Sequence, residues 1–230
     1  MDGTLVDTEP YWMRAETELI ESFGGVWTHE DALGVVGLGL WESARIFQEA
    51  GADLDADAIV DYLTTSVQQQ LETDGVPWRP GARELLAELR ENGVKTALVT
   101  MSVKRMADQV AALIGFPAFD VIVTGDSVEN PKPFPDAYLA AAEQLGVAAS
   151  ACLAIEDSVP GLASARAAGC STLGVPHMVP LTASAADELW PTLEGRSIAD
   201  LFAVHDRSAP DRSAHPGVDR DAASAEGIAR

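Results

Sequence analysis

The sequence predicts an α/β fold: a doubly wound parallel sheet with a small α-helical insert near its start. Three observations carry this expectation. From residue 82 onward, short apolar runs of buried-strand type alternate with helical stretches, the order that parallel crossovers require. Residues 11–74 instead show helical periodicity and few strand signals. Between the two regions Pro77-Trp78-Arg79-Pro80-Gly81 breaks the helical rhythm.

The elements follow in order. Residues 11–23 form a first helix that stops at Gly24-Gly25, where a C-cap belongs. Thr28-His29-Glu30-Asp31 reads as a capping box, with Thr28 as N-cap and Asp31 in place of the usual Glu or Gln. Residues 41–50 and 56–72 give two further amphipathic helices. Beyond the break, residues 82–92, 103–114, 135–145 and 160–168 read as helices, and residues 95–100, 119–123, 152–155 and 171–175 as strands. The expected organisation is a sheet-bearing core over 1–9 and 80–204, a helical domain over 10–79, and a disordered Asp/Arg/Ser/Ala/Pro-rich tail over 205–230.

Composition narrows the function classes. Fifteen Lys+Arg against 36 Asp+Glu give a net charge of −21 in 230 residues. So acidic a surface repels nucleic-acid backbones and anionic lipid, so neither is an expected partner. An anionic substrate then needs a local positive device such as a metal ion or a lysine. Cys152 and Cys170 are far apart and border apolar runs, as buried free thiols do. No apolar run reaches the roughly 18 residues of a membrane span, and no secretory pattern is visible, so the cytoplasm is the default expectation.

In a doubly wound sheet, ligands bind at the carboxyl ends of the strands. Thr100 closes one predicted strand, followed by Met101 and Ser102, and Glu156-Asp157 closes another. Lys132 lies in the loop Asn130-Pro131-Lys132-Pro133-Phe134-Pro135-Asp136, and Asp2 would follow a strand upstream. Each residue alone has a bland reading: an N-cap, a first-turn acid, a solvated lysine, a terminal aspartate. Together they deliver carboxylates, a hydroxyl and an ammonium to one sheet edge. Carboxylates suit a hard cation such as Mg²⁺, while the hydroxyl and lysine suit phosphoryl oxygens, which makes phosphoryl transfer the expected chemistry.

The order of these pieces resembles the haloacid dehalogenase superfamily. Met1-Asp2-Gly3-Thr4-Leu5-Val6-Asp7 resembles the end of its first signature, Asp-x-Asp-Gly-Thr-(Leu/Val)-x-Asp. Thr100 matches the second motif, and Lys132 in Lys-Pro-x-Pro-Asp the third. Glu156-Asp157-Ser158-Val159-Pro160-Gly161, with Ala168-Gly169, matches the fourth as found in the phosphoglycolate phosphatase and β-phosphoglucomutase branch. The resemblance covers roughly residues 1–200. It implies a Rossmann-like core, a helical cap, and a Mg²⁺-dependent phosphatase of small phosphorylated metabolites working through an aspartyl-phosphate. By the same resemblance Asp2 is the acid/base, and Asp2, Glu156 and Asp157 hold the metal. Thr100, Met101, Ser102 and Lys132 bind the phosphoryl group, with Thr100 and Lys132 also catalytic.

Within the branch, mutases carry a cap histidine where this chain has Trp12, and a cap-loop arginine absent from Val36-Gly37-Leu38-Gly39-Leu40-Trp41-Glu42. Both departures favour hydrolysis over β-phosphoglucomutase-like isomerisation. Trp12 and Trp41 read first as cap core, and His29, His177, His205 and His215 lack ligand spacing. Dehalogenation is disfavoured, because that chemistry does not use Mg²⁺ and the acidic pair is intact. The expected state is a monomer or weak dimer.

The signature's first Asp, the nucleophile, would precede Met1. The expectation is that Met1 is an internal start and that a short strand ending in Phe-Asp precedes it; the alternatives are an inactive relic or a phosphate- and metal-binding pseudo-enzyme. The 230-residue form is therefore expected to be poorly soluble and to hydrolyse p-nitrophenyl phosphate at background rate, and brisk Mg²⁺-dependent turnover would refute this. Restoring an upstream strand ending in Asp is expected to give activity that Asp2→Asn or Lys132→Ala abolishes.

Overall fold

The computed structural model describes residues 1–183 and 185–208. Four helices come first: α1 (Glu9–Ser22), α2 (His29–Val35), α3 (Leu40–Glu49) and α4 (Ala56–Thr73). α1 turns Trp12, Ala15, Glu16, Leu19 and Ile20 inward, the spacing of one helical face. It packs on α4, as does α3. The expected capping box of α2 is present in both directions, Thr28 Oγ1 accepting from the Asp31 N–H and Asp31 from the Thr28 N–H. Asp55 caps α4 by accepting from the Ala58 N–H at 2.8 Å. Phe47 is 1% exposed and its ring sits 4.9 Å from that of Trp27, so this helical layer has its own aromatic centre.

The second region runs α5 (Ala82–Glu91), β1 (Ala97–Val99), α6 (Lys104–Leu113), β2 (Val121–Val123), α7 (Asp136–Leu145), β3 (Leu153–Glu156), α8 (Val159–Ala168), β4 (Ser171–Gly174), β5 (Glu188–Leu189) and α9 (Ile198–Ser208). All strand pairs are parallel, as expected of an α/β chain with helical crossovers. β1 pairs with β2, while β3 pairs with β4 and β4 with β5. α7 and α8 pack on each other, α7 against β1 and β2, α8 against β3 and β4.

Three features differ from expectation. The sheet is in two pieces among the described residues, with no ladder between β1 and β3. Both edges line an apolar cavity of about 580 Å³ that lies between the pieces. β5 and α9 were not expected: β5 is two residues long, below what alternation can signal. His205–Ser208 was expected to begin the tail but continues α9, because Leu201 and Val204 bury one side of that helix. The rest of the expected tail lies outside the described residues. No described helix is long and apolar enough to cross a membrane.

Two connections join the regions. Residues 7–8 lead out to α1 and residues 74–81 lead back. They meet where the Asp7 N–H donates to the Pro77 carbonyl at 2.7 Å and the Arg79 N–H to the Leu5 carbonyl at 3.0 Å. His177 locks this junction: its ring lies 2.6 Å from Asp7 Oδ1 through Nε2 and 2.6 Å from Arg79 Nη1 through Nδ1. Gly81, at the start of α5, has φ +79°, and a Cβ there would stand 2.2 Å from the Leu193 backbone oxygen. Gly81→Ala is therefore expected to lower unfolding free energy by about 2–4 kcal/mol, combining left-handed strain with a backbone clash, read from urea midpoints.

Candidate active site

One cavity of about 100 Å³ gathers Asp2, Thr100, Met101, Ser102, Lys132, Glu156 and Asp157. The strand ends place them. Thr100 follows β1, its N–H donating to the Val123 carbonyl at 3.0 Å, and its Oγ1 accepts from the Ser102 N–H at 3.1 Å. Glu156 ends β3 and Asp157 follows it. Lys132 enters from the loop before α7, its N–H lying 3.3 Å from Met101 Sδ.

Lys132 is buried. Its Nζ lies 2.5 Å from Glu156 Oε1, donates to the Val99 carbonyl at 3.2 Å, and sits 5.2 Å from the Tyr138 ring centroid. Tyr138 Oη donates a short hydrogen bond to the same Glu156 oxygen. Burial acts to raise Glu156, but Lys132 and these hydrogen bonds hold its carboxyl below the ordinary value. Asp157 goes the other way: burial, then the charge of Glu156, pushes it up, although Thr4 Oγ1 donates to its Oδ1 at 2.7 Å. Gly3 makes that approach possible. Its φ is +71°, and a Cβ would stand 2.0 Å from Asp157 Oδ2.

Asp2 is held by three donors: Ser102 Oγ at 2.8 Å, Trp12 Nε1 at 3.2 Å, and Thr8 Oγ1. Trp12 is thus more than cap packing, since its indole reaches the site. Trp41 is not in the cavity lining; it donates to Asp57 Oδ1 at 2.7 Å. His177 belongs to the junction between the two regions rather than to the cavity lining.

The opposite wall was missed in the sequence. Glu9, Glu16 and Ser43 line it together with apolar side chains including Phe47 and Leu63. Burial first, then Asp2 and Asp157, pushes Glu9 up to about 8. Burial pushes Glu16 up to about 7, against the hydrogen bond it accepts from Trp27 Nε1 at 3.1 Å. A usable signal existed: Glu9 and Glu16 share the α1 face that also carries Trp12, Leu19 and Ile20, and a carboxylate in an apolar stripe is unusual.

The metal donors are only partly assembled. Among the described residues no three His, Cys, Asp or Glu side chains stand close enough together to hold a metal ion. Glu156 is turned onto Lys132 and Tyr138. Asp2 and Asp157 are hard oxygen donors at the cavity, the type that Mg²⁺ takes, and a cation there would offset the burial and, after it, the carboxylate repulsion that raise Asp157 and Glu9.

A family model for haloacid dehalogenase-like hydrolases matches residues 1–169. The chain belongs to this family. Hexitol phosphatase A of Escherichia coli K12 is 34% identical over 176 residues, covering 76% of this chain and 80% of that protein. Protein CbbY of Rhodobacter capsulatus is 35% identical over 188 residues, covering 76% of this chain and 82% of that one. The crystal structure of CbbY from Rhodobacter sphaeroides in complex with phosphate aligns with a TM-score of 0.80 at 29% identity, over 88% of this chain and 96% of that one. The haloacid dehalogenase-like chain is accordingly a hydrolase of α/β fold.

Glu16 gives this hydrolase a pH-dependent stability. The unfolded carboxyl ionises near its ordinary 4.5 and the folded one near 7. Between those values the folded chain holds the extra proton, so stability falls as pH rises through that window and stays lowered above it. Glu16→Gln keeps an acceptor for Trp27. It is expected to exceed the parent by about 3 kcal/mol above roughly pH 8 and to match it near about pH 4, read from denaturant midpoints.

Proposed function

We propose that this chain is a Mg²⁺-dependent phosphomonoesterase for a small phosphorylated metabolite, a sugar phosphate or close relative, acting in the cytoplasm as a monomer or weak dimer. The carrying observation is that Lys132, Thr100 and Ser102 line one cavity with Asp2 and Asp157. The names of the hexitol phosphatase and of the phosphate-bound CbbY structure support the same reading.

In this reading Lys132 offsets charge on the phosphoryl oxygens while remaining tied to Glu156, so its ammonium is oriented before substrate arrives. Thr100 and Ser102, with Met101 between them, supply hydroxyl and backbone donors to the same oxygens. Asp2 hands a proton to the leaving alcohol and takes one from the hydrolytic water, its carboxylate aimed by Ser102, Thr8 and Trp12. Asp2 and Asp157 would hold Mg²⁺, with Glu156 contributing nearby, and the ion when bound supplies positive charge to the phosphoryl group. The covalent route through an aspartyl-phosphate uses, in the family signature, the Asp two positions before Asp2. Trp12 argues against the isomerase alternative, because an indole N–H donates only and cannot relay a proton as an imidazole does.

Calorimetric titration of inorganic phosphate with Mg²⁺ present tests this. Lys132→Ala is expected to weaken binding at least about tenfold, and Thr100→Val by roughly threefold to tenfold. Removing Mg²⁺ with a chelator is expected to weaken it in the parent as well. Equal affinity in parent and both variants would remove the assignment.

A further inference from the structure

Cys152 and Cys170 lie far apart in the sequence but meet in the fold. β3 and β4 pair in parallel with Leu153 opposite Ser171, and the Ser171 N–H donates to the Cys152 carbonyl at 2.9 Å. One step back along each strand, in the same register, stand Cys152 and Cys170. Strand alternation sends Cys152, Ala154 and Glu156 to one face of the ladder, and Leu153 and Ile155 to the other. Cys170 shares the first face: it packs in one apolar cluster with Cys152, Ala154, Tyr138 of α7 and Ala165 of α8. Both cysteines also line the cavity between the sheet pieces.

Neighbouring strands run about 4.8 Å apart, so two thiols in register on one face stand inside the roughly 4.4–6.8 Å Cα separation of a disulfide. The ladder leaves room for the last adjustment. The Cys152 amide donates to the Ala149 carbonyl and the Cys170 amide to the Ala165 carbonyl, so neither N–H is held by the opposing strand. Cys152 Sγ lies 3.6 Å from the Ala148 carbonyl, a weak S–H contact that a turn about χ1 exchanges for Cys170. The two thiols differ in access: Cys152 is half-buried, whereas Cys170 is 2% exposed. Burial pushes the Cys152 thiol up, so it reacts slowly, but a small oxidant reaches it before Cys170.

We propose that Cys152 and Cys170 are a thiol pair that closes into a disulfide across the starts of β3 and β4 when the chain meets a low-molecular-weight disulfide. The Cys152 thiolate attacks one sulfur of the oxidant, forming a mixed disulfide and expelling one small thiolate. The Cys170 thiolate then attacks the Cys152 sulfur and expels the second. The chain gives up two protons and two electrons, and the oxidant leaves as two thiols. The bond closes a loop that carries Glu156, Asp157 and the whole of α8. In a reducing compartment it is transient, a response to oxidant rather than a staple. Its formation requires nothing of the phosphate cavity, so it stands or falls apart from the proposed hydrolysis.

The test is incubation of the full chain with excess glutathione disulfide, followed by intact-mass measurement, tryptic mapping without reductant, and thermal melting. The parent is expected to lose the mass of two hydrogen atoms and to retain no glutathione. Trypsin cuts after Arg166, between the two cysteines, so their peptides are expected to stay linked in the oxidised chain and to separate on adding dithiothreitol. The oxidised chain is expected to melt roughly 5–10 °C above the reduced one, because the bond restricts the unfolded loop. Cys170→Ala is expected to stop at one glutathione on Cys152, and Cys152→Ala to leave Cys170 unmodified over the same time. Circular dichroism confirms that both variants fold, and the parent's linked peptide decides without either. Two intact thiols in the parent, a glutathione adduct that never resolves, or a link between two chains would each overturn the pairing. So would a cross-linked chain that melts no higher than the reduced one, since the thiols would then have met only in unfolded molecules.

Discussion

The buried contact between Lys132 and Glu156 holds together what the strands do not. β1 and β3 belong to separate ladders, and the space between them is an apolar cavity rather than paired backbone. At their carboxyl ends Lys132 spans that gap, donating to the Val99 carbonyl at the end of β1 and meeting Glu156 at the end of β3. Tyr138 adds α7 to the same knot through its hydroxyl and ring. Desolvating two charges is costly, so such a pair is weak evidence for net stability; removing one partner, however, strands the other charge in the interior. The same contact that orients the ammonium toward the cavity therefore also fixes the spacing of the loops that form it.

Around that pair the site gathers a surplus of carboxyl groups. Asp2, Glu9, Glu16 and Asp157 face the same cavity, and burial lifts Glu9, Glu16 and Asp157 above their ordinary values. Nothing in folding alone favours this arrangement, since each buried carboxyl weakens the native state at neutral pH. Concentration of such groups in one concave place is the mark of a site built for a ligand rather than for packing. Their distribution also has a direction. Thr100, Ser102 and Lys132 stand on the strand-end wall and Glu9, Glu16 and Ser43 on the helical wall, so the cavity lies between both regions of the chain.

What was legible in the sequence follows from the range of the interaction involved. The Thr28–Asp31 box acts within one turn, and both of its hydrogen bonds form. The residues that end strands were legible because topology alone sends them to one edge, and Asp2, Thr100, Lys132, Glu156 and Asp157 line one cavity. Tyr138 was not legible: its hydroxyl matters only because the fold brings α7 to Glu156 at the end of β3, 18 positions along. Nor was Ser43, whose place depends on α3 packing against α4. α9 was half-hidden because its polar residues resemble the following tail, while Leu201 and Val204 reveal its buried side only once β4 is present to cover it. The divided sheet was not legible at all, because alternation reports strands and not their partners.

Trp12 shows how one position serves both regions. On α1 it is an inward-facing residue, 7% exposed, and its ring fills the helical core as any large apolar side chain would. Its indole N–H nonetheless reaches Asp2 Oδ1, across the connection that links the helical layer to the strand ends. Thr8, on that connection, donates to the same oxygen, and Ser102, from the strand ends, donates to the other. The Asp2 carboxylate is therefore aimed by groups from both sides of the junction that Asp7, His177 and Arg79 lock. Trp12 belongs to the helical layer and Ser102 to the strand ends, so the two donors reach Asp2 from different regions. In the proposed reading the proton-transfer group is therefore oriented from both regions of the chain at once.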